Sequence, residues 1–196
     1  MKKILAILLL VLTSTQVQAA GKDFPSAVDG TNYFPSKKNQ PVPETGLTYV
    51  RLGRSITTYS DSTNATNFVG SLGHRRYADN LMYGLEYTYH YALDSMRYTD
   101  FDITAGYRFN PTYRVIPYVF GGAGLSFSSD ASNQGRNGGS GINYFVDFGV
   151  ELFTIDVKDF QVKIMSGLKM THQTLTGASE ANRSFTDMYI GIGFGW

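Results

Sequence analysis

The chain has 196 residues, with 17 Lys and Arg against 16 Asp and Glu and a formal net charge of +1. This balance implies no basic face and argues against nucleic acid as a partner. There is no cysteine, which excludes disulfides and thiolate metal sites. Aromatic residues reach 14% and glycines number 21. This composition suits a barrel with aromatic girdles, although a tyrosine-rich β-sandwich would look similar.

Residues 1–19 have the features of a secretory signal peptide. Lys2 and Lys3 precede an apolar run at 4–12 that is too short to span a bilayer. Small residues at 17–19 give the usual cleavage spacing, with Ala20 as the neighbouring option. No later stretch offers about 18 continuous apolar residues, so no transmembrane helix is predicted.

Residues 20–45 contain four prolines and little periodicity, which predicts an extended or disordered lead. A short plug or a partner-binding arm is the alternative for this segment. The remainder, 46–196, is predicted to form one domain.

Eight segments from residue 46 onward have strand character. The clearest is 81–91, where large apolar residues alternate with Gly84, Glu86 and other small or polar residues. Most segments run ten residues or more, the length of a tilted membrane strand, whereas soluble strands average five or six. Pro117 predicts a bulge or local break in the fifth strand. The predicted strands are 47–59, 67–77, 81–91, 96–109, 113–127, 142–154, 160–171 and 184–196.

The connections between these strands alternate in length. Those after the second, fourth and sixth strands are short, at 78–80, 110–112 and 155–159. Those after the first, fifth and seventh are longer and polar, at 60–66, 128–141 and 172–183, while 92–95 is short and weakens the pattern. Outer-membrane barrels have short periplasmic turns and longer outer loops. Both chain ends are therefore predicted to lie in the periplasm.

The closing stretch, 184–196, alternates without a break. Met188, Ile190, Ile192, Phe194 and Trp196 share one face, opposite residues that are mostly glycine. An exposed strand of this kind invites pairing with other chains, whereas in a membrane barrel the apolar face meets lipid. A core strand of a soluble sandwich is the alternative.

The face opposite the apolar one is predicted to line a lumen. An eight-stranded barrel is only wide enough for side chains to fill it, and buried charges must be paired. The sequence therefore predicts a filled, ion-paired interior, with Phe145, Phe153 and Met165 beside the charges, and no general diffusion pore. Arg54 and His74 or Arg76 break the pattern and are expected near a membrane interface. The predicted lumen residues are Arg51, Arg75, Glu86, Asp100, Asp102, Arg108, Arg114, Asp147, Glu151, Lys163, Lys169 and Asp187.

The stretch Y-R-V-I-P-Y-V-F-G-G-A-G-L-S-F at 113–127, with 82–91, resembles the small eight-stranded outer-membrane β-barrel domain family of Gram-negative bacteria. The resemblance covers roughly 46–196. Gly191, Phe194 and Trp196 are similar to the C-terminal assembly signal of such barrels. The resemblance implies an all-β, antiparallel, up-and-down transmembrane barrel in the outer membrane. It also implies contact with outer-membrane lipid, lipopolysaccharide and the barrel assembly machinery.

Members of this family include structural barrels, adhesin-like surface proteins and a few lipid-modifying enzymes. The expected function is a structural or adhesive role through outer loops, whose extracellular ligand the sequence does not identify. A lipid A-modifying enzyme and a narrow channel for small solutes are the alternatives.

Candidate chemical groups in the sequence are few. His90 lies close to Asp94 and Ser95, and His172 to Thr171 and Thr174. The chain lacks the His-x-Ser of the related lipid A deacylase, so no catalytic residue is assigned. The Asp100-Phe101-Asp102 pair could hold a cation, but lysines and arginines are the expected partners, so no metal is assigned. The glycine-rich runs precede no helix and are not phosphate loops, so no cofactor is predicted.

Overall fold

The computed structural model describes residues 45–59, 64–91, 96–109, 115–130, 138–157, 160–177 and 182–196, with the side chains at 64, 130, 153–157 and 160 left out. The predicted signal peptide and nearly all of the lead lie outside this part, so those boundaries remain predictions. The eight strands are β1 (Gly46–Tyr59), β2 (Asn64–Ala78), β3 (Leu81–Tyr91), β4 (Met96–Arg108), β5 (Val115–Asp130), β6 (Gly139–Val157), β7 (Phe160–Thr176) and β8 (Asn182–Gly195).

The strands form one closed antiparallel barrel in sequence order, with β1 paired to β8. This confirms the predicted fold class. No helix in the described part of the chain is long and apolar enough to span a membrane. Closure leaves every strand with two hydrogen-bonded neighbours, so the wall has no open edge.

Side chains alternate between the interior and the outer wall. In β8, Asp187, Tyr189 and Gly191 are buried, while Met188 and Ile190 are exposed. The pleat enforces this alternation because successive Cβ atoms point to opposite faces of a strand. The face assignment predicted from the closing stretch is confirmed.

Several strands extend further than the sequence predicts. β2 begins at Asn64, β5 runs to Asp130 and β6 begins at Gly139, so part of each predicted long loop is strand. The reason is that polar residues here point inward: Ser128 and Gln173, each in a predicted loop, are buried. Their polarity therefore marks a polar lumen, and the two rims differ less in connection length than predicted.

Pro117 causes no bulge, contrary to prediction. Pairing between β5 and β6 keeps one register from Val115 to Ser128, with Pro117 opposite Val150. The Pro117 carbonyl accepts a hydrogen bond from the Phe109 amide at 2.8 Å. The Pro117 nitrogen therefore also points towards the chain of β4, just past the last residue of that strand. Only the last rung loses a bond. The register shift lies instead in the β6–β7 pairing, between Phe153 and Ile155.

The two rims can be named by what lies there. The terminal rim holds the start of β1, the end of β8 and the β2–β3 turn at Asp79 and Asn80, and the loop rim is opposite. Directly paired residues on neighbouring strands form a rung that runs around the barrel and rises from the terminal rim to the loop rim. It starts at Thr48 of β1 and returns to β1 at Thr58, ten residues further along, as in a strongly tilted barrel. This outward-facing rung runs through Thr48, His74, Leu85, Ile103, Ala123, Tyr144, His172, Ser184 and Thr58.

Candidate functional site: the barrel interior and outer wall

The outer wall is an apolar belt between two aromatic zones. Leu85 and Ile103, at mid-height, are 63% and 72% exposed. A soluble monomer rarely leaves so large a continuous apolar surface in water, and aromatic residues at both edges are typical of a wall that meets lipid. Exposed aromatic residues are Phe68, Tyr91, Phe127 and Tyr144 towards the loop rim, and Tyr83, Tyr107, Phe109 and Trp196 towards the terminal rim.

The interior holds the predicted charges. Eleven of the twelve predicted lumen residues are buried. The twelfth, Arg114, lies outside the described residues, as does the side chain of Phe153, while Phe145 and Met165 are buried among the charges. In the described part of the chain, the buried carboxylates are Glu86, Asp100, Asp102, Asp147, Glu151 and Asp187, and the buried cations are Arg51, Arg75, Arg108, Lys163, Lys169 and Arg183.

A central cluster connects five strands across the lumen. Arg51 of β1 pairs with Glu86 of β3 and donates from Nη1 to Asp147 Oδ2 of β6 at 2.6 Å. Lys169 of β7 donates to Glu86 Oε1 at 2.9 Å and lies 3.4 Å from Asp102 Oδ2. Arg51 and Lys169 therefore each face two carboxylates, which offsets their desolvation.

Tyrosine hydroxyls complete this central cluster. Tyr49 donates to Glu86 Oε2 and Tyr189 donates to Asp147 Oδ1, both at 2.5 Å. The Tyr189 ring also lies 4.2 Å from the Arg51 guanidinium carbon. Ring faces and hydroxyls therefore lie between the charges of this cluster.

The terminal-side cluster is built around Glu151. Its carboxylate faces Lys163 Nζ at 3.3 Å, Arg108 Nη1 at 3.7 Å and Arg75 Nη1 at 3.8 Å. Arg75 makes no hydrogen bond to the described residues; its guanidinium carbon lies 3.8 Å from the centre of the Phe120 ring and 4.3 Å from that of Tyr49. Ring faces and the Glu151 carboxylate therefore both stabilise this buried charge.

The loop-side cluster is centred on His90. Its Nε2 lies 3.1 Å from Asp187 Oδ2, its Nδ1 lies 4.0 Å from Asp100 Oδ2, and its ring stacks on Phe185 at 4.2 Å. Asp100 also accepts hydrogen bonds from Gln173 and Ser126, both at 2.6 Å. The sequence had suggested Asp94 and Ser95 near His90. Those two lie outside the described residues, and the partners seen here come from β4 and β8.

Two interior residues were missed by the sequence analysis. Arg183 falls in a predicted loop, yet it is buried with its guanidinium carbon 4.2 Å from the Tyr98 ring. His90 was considered only with its sequence neighbours Asp94 and Ser95, although strand alternation alone places it beside Glu86 and Thr88 on the inner face. Extending the alternation of β8 backwards from Asp187 by two steps would have found Arg183.

The described residues contain no group of three His, Cys, Asp or Glu side chains able to hold a metal ion. Asp100 and Asp102, the pair considered from sequence, are instead bound to Gln173, Ser126 and Lys169. One oxygen of each carboxylate is held by these donors, so the pair has structural partners.

A histidine and a serine meet on the outer wall near the loop rim. His172 of β7 is directly paired with Ser184 of β8, and His172 Nδ1 lies 3.0 Å from Ser184 Oγ. Tyr144 packs against His172 at 5.3 Å between ring centres. The sequence had paired His172 with Thr171 and Thr174; Ser184 was missed because the two residues lie on different strands.

The three residues that break the outward apolar pattern lie towards the rims. Arg54 is paired with the exposed aromatic Phe68 near the loop rim. His74 and Arg76 lie towards the terminal rim. There His74 stacks on Trp196 at 5.4 Å between ring centres, and its Nδ1 shares a 3.1 Å hydrogen bond with the Thr48 hydroxyl.

No protein-family model matches this chain, and no curated protein sequence matches it. Among solved structures, Neisserial surface protein A (NspA) has 15% identity and a TM-score of 0.66, covering 77% of this chain and 97% of its own. The attachment invasion locus protein Ail of Yersinia pestis has 13% identity and a TM-score of 0.40, covering 78% and 99%. The outer-membrane enzyme PagL has 15% identity and a TM-score of 0.42, covering 75% and 97%. The likeness to NspA establishes a shared eight-stranded barrel fold, and the other two are too distant in geometry to bear on function.

Proposed function

We propose that this chain is an integral outer-membrane β-barrel with a closed, ion-paired interior that serves as a rigid frame for surface contacts made at its loop rim. The observation that carries the proposal is the lumen itself. Among the described residues, six buried carboxylates and six buried cations meet there, with aromatic rings between them. A wide channel would leave such groups lined by water.

The closed interior is tested by conductance. The purified protein, folded into planar bilayers, is expected to show no steady large-conductance steps, because the Arg51–Glu86–Lys169 cluster crosses the lumen. A stable open conductance that persists in Arg54→Gln and increases in Glu86→Ala would favour the narrow-channel alternative instead.

The surface role is tested on intact cells. Replacing residues 60–63 and 131–137 with Gly-Ser sequences of equal length is expected to abolish attachment of expressing bacteria to cultured host cells, while the barrel still folds. A matched control replaces the turn residues Asp79 and Asn80 at the other rim. Attachment that is unchanged by both replacements would leave only the structural role.

The pair of His172 and Ser184 supports a second candidate, an enzyme that cleaves acyl esters of outer-leaflet lipid. At 3.0 Å, the imidazole is close enough to take the Ser184 proton as its oxygen bonds to an ester carbonyl carbon. The histidine would return that proton to the departing alkoxide, and water would then release the acyl group from Ser184. The described residues provide no carboxylate to orient His172, so this candidate ranks second.

The enzyme candidate is tested by the mass of lipid A from expressing cells. Loss of one acyl chain that is abolished by both Ser184→Ala and His172→Asn would support it. Ser166→Ala is the matched control, because Ser166 is also an outward serine, on β7, and it bonds only a backbone carbonyl, that of Tyr189. Unchanged lipid A in every strain would eliminate the candidate.

A further inference from the structure

The lipid-facing wall is not smooth. A trough of about 620 Å³ crosses β1 to β5 on the outer face. Its walls are apolar side chains, and its floor is low because Ala123 and the backbone of Gly73 and Gly124 lie beneath it. The side chains that line it are Leu72, Leu85, Tyr87, Phe101, Ile103 and Leu125.

The trough has a polar end at the terminal rim. Thr48 and His74 line it there, and the climbing rung carries the trough from this end towards mid-height at Ala123. Arg76 follows His74 by two residues on the same face, a spacing of about 7 Å along a strand. The Arg76 side chain is exposed and makes no ion pair with any described residue; the exposed Asp79 lies in the turn that follows.

Trp196 adds a third element to this end. Its indole stacks on His74, and it lies over Gly46, where a Cβ would be 3.3 Å from the ring. Gly46 is the direct partner of Arg76. A cation, an imidazole and an indole therefore lie together at the level where the aromatic zone of the wall meets lipid headgroups.

We propose that this surface binds one acidic glycerophospholipid from the leaflet at the terminal rim, with its phosphate at Arg76 and one acyl chain in the trough. The arginine provides planar, charge-assisted donors suited to a phosphate. The trough that begins beside this arginine is apolar, so it suits an acyl chain and not the polar groups of the lipid. The inference rests on the membrane location proposed above.

Trp196 is the only tryptophan and reports on this site. The folded barrel is placed in vesicles of zwitterionic phosphatidylcholine with brominated acyl chains, which quench the indole, and unbrominated phosphatidylglycerol is titrated in. The expected recovery of fluorescence shows a preference for phosphatidylglycerol of about fivefold over random mixing, the effect of one cation near an anionic headgroup. Arg76→Gln is expected to remove the preference and Arg76→Lys to keep it.

Arg54→Gln is the matched control, because Arg54 is an exposed outward arginine at the opposite rim, and it is expected to behave as wild type. Random mixing in the wild type, or equal loss in Arg54→Gln, would overturn the proposal. In native mass spectrometry the wild type is expected to retain one phosphatidylglycerol and Ala123→Phe, which fills the trough, to retain none. Retention by Ala123→Phe would overturn the acyl-chain assignment. A protein that gives no heat-modifiable folded band in these vesicles would instead contradict the membrane location itself.

Discussion

Glu86 shows how much one interior residue can connect. Its carboxylate accepts hydrogen bonds from Tyr49 and Lys169 and pairs with Arg51. Residues of β1 and β7 therefore meet β3 at this one group. Alternation along β3 is enough to predict that Glu86 faces inward. It does not predict the partners, since Arg51 and Lys169 come from β1 and β7.

Glu86→Ala is expected to destabilise the barrel by about 3–5 kcal/mol, because Arg51 and Lys169 each lose a buried carboxylate partner. The measurement is the free energy of unfolding in urea, in detergent micelles. Arg54→Gln, an exposed charge, is the control and should change little. A Glu86→Ala protein as stable as wild type would mean that water solvates the cluster.

Gly191 matters for a steric reason. A Cβ at this position would lie 2.6 Å from both Arg51 Cγ and the Val50 carbonyl oxygen. Gly191→Ala is therefore expected to lower the thermal unfolding midpoint by displacing Arg51, whereas Ile190→Ala, facing lipid one residue away, should have a smaller effect. Refolding from urea into detergent separates this effect from recognition by assembly machinery, which is absent there. Equal midpoints for the two variants would contradict the steric argument.

At the scale of the element, β8 closes the barrel. The Trp196 carbonyl accepts hydrogen bonds from the Thr45 and Gly46 amides at 2.6 and 3.1 Å, and the Trp196 amide donates to the Gly46 carbonyl at 3.1 Å. The last residue is thereby tied to the first strand. The proposed assembly signal of Gly191, Phe194 and Trp196 thus coincides with the closing seam, and recognition by assembly machinery stays a prediction.

Deleting Phe194 to Trp196 is expected to leave export intact and to prevent outer-membrane insertion, because β1 loses its partners at Thr48 and Leu47 and an open edge in hydrocarbon is costly. The measurement is membrane fractionation with a heat-modifiability gel, full length against truncation. Full-length protein in the soluble periplasm would contradict the membrane barrel altogether.

At the scale of the whole molecule, alternation and strand length were enough to predict eight strands, their two faces and closure. What they could not predict is the stagger. His172 and Ser184 face each other only because β7 and β8 pair in one particular register, and nothing in either strand alone selects it. The strand ends near the loop rim were also missed, since inward polar residues such as Ser128 look like loop residues.

The orientation of the barrel is tested with single cysteines, since the chain has none of its own. A cysteine at Asn137, which lies outside the described residues in the β5–β6 connection, is expected to react with an impermeant reagent on intact cells. Asn80→Cys in the β2–β3 turn is expected to react only after lysis; Asp79 is avoided because its φ of 55° disfavours cysteine. The reverse labelling pattern would invert the topology.

The ion pairs across the lumen also constrain the order of events in assembly. Arg51 of β1 finds its carboxylates on β3 and β6, and Lys169 of β7 finds its own on β3 and β4. A hairpin that entered the bilayer alone would carry such charges into hydrocarbon without their partners, at a large energetic cost. We therefore expect insertion and closure to be concerted, with early intermediates held at the bilayer surface until strands from both halves of the chain have met.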